Sequence, residues 1–150
     1  PGVDLVLYGG GVDQDKATGN IHAMGYVDSD TLIAGAEGDY GVVWYGSSLY
    51  EGAGSLGEYL KYNAPHKTSL YLRAGLPVII WDKAALAEIV SRLDIGICVS
   101  SLRGLGDVLS GVSPARYEQM RANAAAVAEK LSKGGFVSEA LSSAKKIAYR

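Results

Sequence analysis

The stretch PVIIWDKAALAEIVSRLDIGICV, Pro77 to Val99, holds two short apolar runs, Pro77-Val78-Ile79-Ile80-Trp81 and Ile95-Gly96-Ile97-Cys98-Val99. Between them Leu86, Ile89, Val90 and Leu93 recur at i, i+3, i+4 and i+7, the spacing of a helix with one packed face. Strand, helix and strand in so short a span form a crossover that makes the two strands parallel. The runs are apolar at nearly every position, as expected of strands covered on both sides. Upstream, Asp4 to Tyr8, the weaker Ile21 to Gly25, and Tyr40 to Tyr45 read as three further strands. Asp28 or Ser29 caps a short helix carrying Leu32, Ile33 and Ala36. Pro65 fits the first turn of a helix that Gly75 ends. Downstream, Leu102, Leu105 and Leu109 mark a short helix, and Ser113-Pro114 opens a long one with Tyr117, Met120, Ala124, Val127 and Leu131 on its seam. A last helix runs from about Val137 to Ala148. The expected fold is α/β, one open parallel sheet between helices, joined by right-handed crossovers within a single domain, residues 1–150.

Composition excludes several classes. A net charge of -2 and a pI near 5.7 leave no basic surface for nucleic acid. No apolar run reaches the roughly 20 residues that span a bilayer. Cys98, the only cysteine, builds neither a disulfide framework nor a zinc site and reads as a small core residue. The chain begins Pro1-Gly2 without methionine and runs almost directly into a strand, so it reads as a fragment.

In an open parallel sheet, ligands bind beyond the carboxyl ends of the strands. Three segments lie there: Gly9 to Gly19, Gly46 to Lys67, and Trp81 to Lys83. The second includes a glycine-rich loop, from Gly46 to about Tyr62, of a length usually reserved for function. Its end, Asn63-Ala64-Pro65-His66-Lys67, places backbone N–H groups and a lysine at the positive end of a helix. A cation is disfavoured there without an anion, so Lys67, with Lys61 nearby, suits a diphosphate; a solvated surface lysine fits the spacing equally. Gly9-Gly10-Gly11 is not followed by a helix and fails as a dinucleotide fingerprint. Asp28-Ser29-Asp30 imitates a metal-binding D-x-D but sits where a helix cap belongs. Glu51 reads as a solvated loop carboxylate, while Glu58 fits either solvation or a catalytic or ribose-binding role. Trp44 and Tyr45 end a strand, where one could stack on a base or sugar and the other pack inward.

The block Gly57 to Ile79, GEYLKYNAPHKTSLYLRAGLPVI, resembles the C-terminal domain of bacterial galactofuranosyltransferases and of the glucosyltransferases that extend glycans on serine-rich-repeat adhesins. Tyr8-Gly9, Gly25-Tyr26-Val27, Val42-Val43-Trp44, Lys83 to Ala87, Tyr117-x-x-Met120-x-x-Asn123, Lys130-Leu131 and Gly134 extend the resemblance over almost the whole chain. It implies the Rossmann-like C-terminal half of a GT-B glycosyltransferase, which holds a UDP-sugar as substrate with no cofactor and no bound metal. The N-terminal acceptor domain would lie outside this chain. By the same resemblance Asn63, His66 and Lys67 surround the diphosphate, Tyr62, Gly46 and Ser47 line the donor pocket, and the base lies against Tyr8, Gly9, Tyr26 and Val27. The chain departs from the E-x7-E pattern of related retaining enzymes, with Lys67 and Leu70 in that neighbourhood, which leaves ribose recognition and the catalytic residues unassigned. The implied enzyme is a hexosyltransferase that takes galactofuranose or glucose to a glycan or glycoprotein acceptor, cytoplasmic or peripheral to the inner membrane face, and able to form homo-oligomers. The fragment alone is expected to bind UDP weakly and transfer nothing. The alternatives are a sugar-nucleotide epimerase or synthetase-like relative, and a non-catalytic nucleotide-sugar-binding or assembly module of a glycosylation complex.

Overall fold

A computed structural model describes residues 2–9, 11 and 17–148. In chain order the elements are β1 (Leu5–Tyr8), β2 (Ile21–Gly25), α1 (Ser29–Gly35), β3 (Gly41–Val43), α2 (Gly54–Leu60), α3 (His66–Arg73), β4 (Val78–Trp81), α4 (Ala87–Leu93), β5 (Gly96–Val99), α5 (Leu105–Ser110), α6 (Pro114–Ser132) and α7 (Gly135–Ala148). The architecture is α/β, with all strand pairs parallel and helices flanking open sheets. Gly10 and residues 12–16 of the glycine loop after β1 lie outside the described residues.

The expected single sheet is two. β1 pairs with β2, and separately β3, β4 and β5 pair in that order. The facing edges of β1 and β3 do not hydrogen-bond; a cavity of about 940 Å³ is lined from both sides, with α1, α3, α5, α6 and the segment 36–40 also contributing to its wall. Periodicity reports which runs are apolar, not which edges meet, so the division was invisible in the residue pattern. The same limit explains β5: expected to be covered on both sides, it is half-buried at an edge and only Val99 is fully enclosed.

β4 is the centre of the core. Val78, Ile79, Ile80 and Trp81 are all buried, joined by Val43, Leu60, Leu72, Val90 and Ile95. At about 25 cal/mol per Å² of apolar surface, enclosing such side chains is the main favourable contribution to this fold. The Tyr117, Met120 and Asn123 spacing on α6 proves to be a docking device. Tyr117 donates its hydroxyl to Asp39 O at 3.0 Å, Met120 enters the core, and Asn123 Nδ2 donates to Asp94 O at 3.0 Å. Asp94 closes α4 in the left-handed conformation, φ 52°, and its carboxylate accepts from Nη1 and Nη2 of Arg116. The turn between α4 and β5 is thereby fastened to α6.

Caps decide where helices begin. Asp28 accepts hydrogen bonds from Asp30 and Thr31 N–H, and Ser113 Oγ accepts from Arg116 N–H ahead of Pro114. Two expectations need correction. The loop after Gly46 is not irregular throughout, since α2 occupies residues 54–60, and Pro65 stands at the N-cap of α3 with ψ 132° rather than in its first turn. α7 differs from every other long element: its residues from Phe136 onward are exposed, including Val137, Leu141 and Ile147 on one face. Cys98 is half-buried, 3.3 Å from Ser91 Oγ.

Candidate functional site

The carboxyl end of β4 is Trp81, whose indole is only 2 % exposed. Gly52 permits this burial. A Cβ there would stand 2.6 Å from Trp81 Cε3, so only a glycine lets the loop backbone lie on the ring. Trp44 meets the same indole edge-on, with centroids 6.4 Å apart, and its Nε1 donates to Ser48 O at 2.8 Å. The turn at Gly46 is closed by its own geometry: φ is 112°, and a Cβ would fall 2.3 Å from Ala53 O. Residues 46–53 are therefore folded down onto the ends of β3 and β4.

Three lysines gather on these aromatic faces. Lys61 Nζ lies 5.5 Å and Lys83 Nζ 5.8 Å from the Trp81 ring, while Lys67 Nζ lies 5.5 Å from Tyr45. At exposed sites each such contact is worth about 0.5–1 kcal/mol, enough to bias a flexible side chain without holding it. Lys61 is further bound by both carboxylate oxygens of Glu58, at 2.7 and 2.8 Å. Those hydrogen bonds hold its ammonium above the ordinary range against a smaller desolvation effect. Glu58, left open by the residue pattern between solvation and a catalytic or ribose-binding role, is an ion-pair partner of Lys61. Lys67 and Lys83 have no carboxylate partner among the described residues.

The first turn of α3 leaves its leading backbone N–H groups without a side-chain cap. Thr68 N–H makes the first bond, to Pro65 O at 3.0 Å, and no side chain caps the N–H groups of His66 and Lys67 before it. The same turn carries no acidic side chain, although acids are the favoured complement to a helix N-terminus. Thr68 Oγ1 is buried with no hydrogen-bond partner. Such a group costs about 1–3 kcal/mol until something satisfies it. Across α3, burial pushes the Tyr71 phenol up, assisted by Tyr45.

The remaining expected contact residues lie at the end of β1, after β2, and in the segments that follow β3 and α2. Tyr8 and Lys67 both line the cavity between the two sheets, and the Tyr8 hydroxyl accepts Glu37 N–H at 3.1 Å. Gly9 N–H donates to Gly25 O at 2.7 Å, Tyr26 is 79 % exposed beyond β2, and Val27 is half-buried. Asn63 N–H donates to Tyr59 O at 3.0 Å, Tyr62 is 84 % exposed, and Ser47 and His66 face solvent. Gly9, Tyr26, Val27, Gly46, Ser47, Tyr62, Asn63 and His66 do not line the cavity. Lys83 and Thr68 were not singled out from residue types, although Lys83 lies in a segment already assigned to the carboxyl ends of the strands. Among the described residues no three His, Cys, Asp or Glu side chains converge as a metal site would require.

A family model for the glucosyltransferase 3-like C-terminal domain matches residues 2–144. The chain belongs to that family. This glucosyltransferase 3-like domain is 38 % identical over 102 residues to the beta-1,6-galactofuranosyltransferase WbbI of Escherichia coli K12, covering 68 % of the chain and 31 % of that relative. It is also similar to glucosyltransferase 3 of Streptococcus gordonii, 26 % identical over 109 residues, covering 72 % of the chain and 32 % of that relative. The domain therefore corresponds to about a third of the length of each relative. The resemblance carried by residues 57–79 and the matches around it holds at the level of family and of glycosyltransferase class. None of the described helices is long and apolar enough to cross a membrane.

Proposed function

We propose that this domain holds the diphosphate of a UDP-sugar at the first turn of α3, as the donor half of a GT-B hexosyltransferase whose acceptor is a glycan or glycoprotein. The observation that carries this reading is the uncapped turn itself, in which free N–H groups at His66 and Lys67, a lysine without a carboxylate and an orphaned Thr68 hydroxyl coincide. Backbone donors and the helix dipole favour an anion at such a place, and the lysine adds a charge-assisted bond of about 1.5–3 kcal/mol. Chemically the arrangement stabilises the charge that builds on the leaving diphosphate as the glycosidic bond to the donor breaks, and needs no metal for that step. The acceptor, and any base that activates it, would face this domain from the remaining part of the enzyme. Galactofuranose and glucose are the candidate sugars, since one relative is a galactofuranosyltransferase and the other a glucosyltransferase.

Calorimetric titration of the domain with UDP, GDP and ADP tests this directly. Selective UDP binding that falls at least tenfold in Lys67→Ala is the expected result; equal UDP affinity in that variant overturns the assignment. A second reading, a non-catalytic assembly module, draws on the exposed apolar face of α7. It is favoured if the domain binds no nucleotide and light scattering shows a self-associated species that Leu141→Glu dissociates.

A further inference from the structure

We propose that Lys83 is an additional cationic contact to the donor diphosphate, reaching it from the turn after β4. The proposal rests on the donor reading above and extends it to a residue outside the α3 turn. The backbone of this turn is held firmly. Ala84 N–H donates to Trp81 O at 3.0 Å, and Ala85 N–H donates to Leu60 O at 3.0 Å, which ties residues 82–85 to the end of α2. From there the chain runs through Lys61, Tyr62 and Asn63 into α3, so Lys83 is anchored beside the segment that leads to the anion-binding turn.

The side chain itself is held weakly. Lys83 Nζ lies 5.8 Å from the Trp81 ring, and Lys61 Nζ occupies the same indole at 5.5 Å. Two ammonium groups on one ring repel each other, and an indole face is a weaker partner than an oxyanion. Glu58 offsets the charge of Lys61 by a bidentate contact. Nothing equivalent among the described residues offsets Lys83. A residue placed this way has a fixed base, a mobile cation and an unmet demand for an anion. Lysine suits the task because its ammonium is a compact charge on a flexible stem that can follow a phosphate oxygen. In the unliganded domain the ring parks the ammonium; a diphosphate at α3 draws it away.

UDP titration of the wild type, Lys83→Met, Lys83→Ala, Lys67→Ala and Lys145→Ala tests this, with melting temperature and tryptophan emission recorded for each. Methionine keeps an apolar stem on the indole and removes only the charge, so it separates packing from anion contact. The expected result is about ten- to hundredfold weaker UDP binding in both Lys83 variants, a shallower salt dependence, unchanged melting temperature, and no effect of Lys145→Ala. UDP affinity within twofold of wild type in Lys83→Met, while Lys67→Ala loses binding, overturns the role of Lys83 and leaves the donor reading standing. Loss of affinity in Lys83→Ala that Lys83→Met restores makes Lys83 a packing residue and also overturns the proposal. Failure of the wild type to bind UDP overturns both.

Discussion

A hydroxyl buried without a partner is a local cost, and Thr68 Oγ1 carries one in the first turn of α3. Replacing it with valine removes the orphaned donor while keeping the β-branched shape, so Thr68→Val is expected to raise the melting temperature by several degrees, read by thermal circular dichroism. On the donor reading the same change weakens UDP, a trade of stability against binding that calorimetry on the two proteins would show. Gly52 gives a prediction of opposite sign. A methyl group there collides with the Trp81 indole, so Gly52→Ala displaces a ring that is otherwise enclosed. The expected outcome is a loss of about 1–3 kcal/mol in urea unfolding, with tryptophan emission shifted to longer wavelength as the indole meets water. Neither residue stood out by type. A threonine and a glycine acquire these roles only from what the fold places against them. Lys67 did stand out, because a cation at a helix start conflicts with the helix dipole, and that conflict is visible in the residue order once the helix is placed.

The helices show where local signals suffice. Ser113 followed by Pro114 is a capping pair readable in isolation, and the observed bond from Arg116 N–H to Ser113 Oγ at 3.2 Å bears it out. Ser113→Ala is expected to cost about 1 kcal/mol, measured by chemical unfolding. The cap of α1 titrates, whereas that of α6 does not. Hydrogen bonds from the Thr31 hydroxyl and backbone hold the Asp28 carboxyl below its ordinary value of 3.8. A carboxyl depressed on folding stabilises fully above its unfolded pKa, and that contribution is lost as pH falls through the folded one. Amide exchange at Leu32 and Ile33 should therefore accelerate below about pH 4, once corrected for its intrinsic pH dependence, before exchange in α6 changes. α2 is the opposite case. Gly54 and Gly57 lower its helix propensity and Ala53 offers no capping side chain, so residues 54–60 read as loop. Tertiary packing overrides this, through a fully buried Leu60 and the close approach of Gly57 to Gly52.

At the scale of the whole molecule, α7 is attached but not part of the core, since it buries no residue fully. Truncation after Gly134 is expected to leave the melting temperature within about 2 °C of the intact chain, as exposed positions contribute little to stability. Met120→Ala, by contrast, empties a site in the interface of α6 with the core and should cost about 2–5 kcal/mol. Truncating α7 without effect while Met120→Ala nearly unfolds the domain would locate the stability in β3, β4, β5 and the helices packed on them. The residue order alone determined the α/β class, the sequence of strands and helices apart from α2, the α6 seam, and the helix start at Lys67. Each of these depends on neighbours within a few positions, through side-chain periodicity, proline geometry and capping chemistry. The tertiary structure decided that the strands form two sheets with a cavity between β1 and β3, that Glu58 is committed to Lys61, and that Lys61 and Lys83 converge on one buried indole. Those outcomes depend on which edges and rings meet across long stretches of chain, and contacts of that kind leave no period in the sequence.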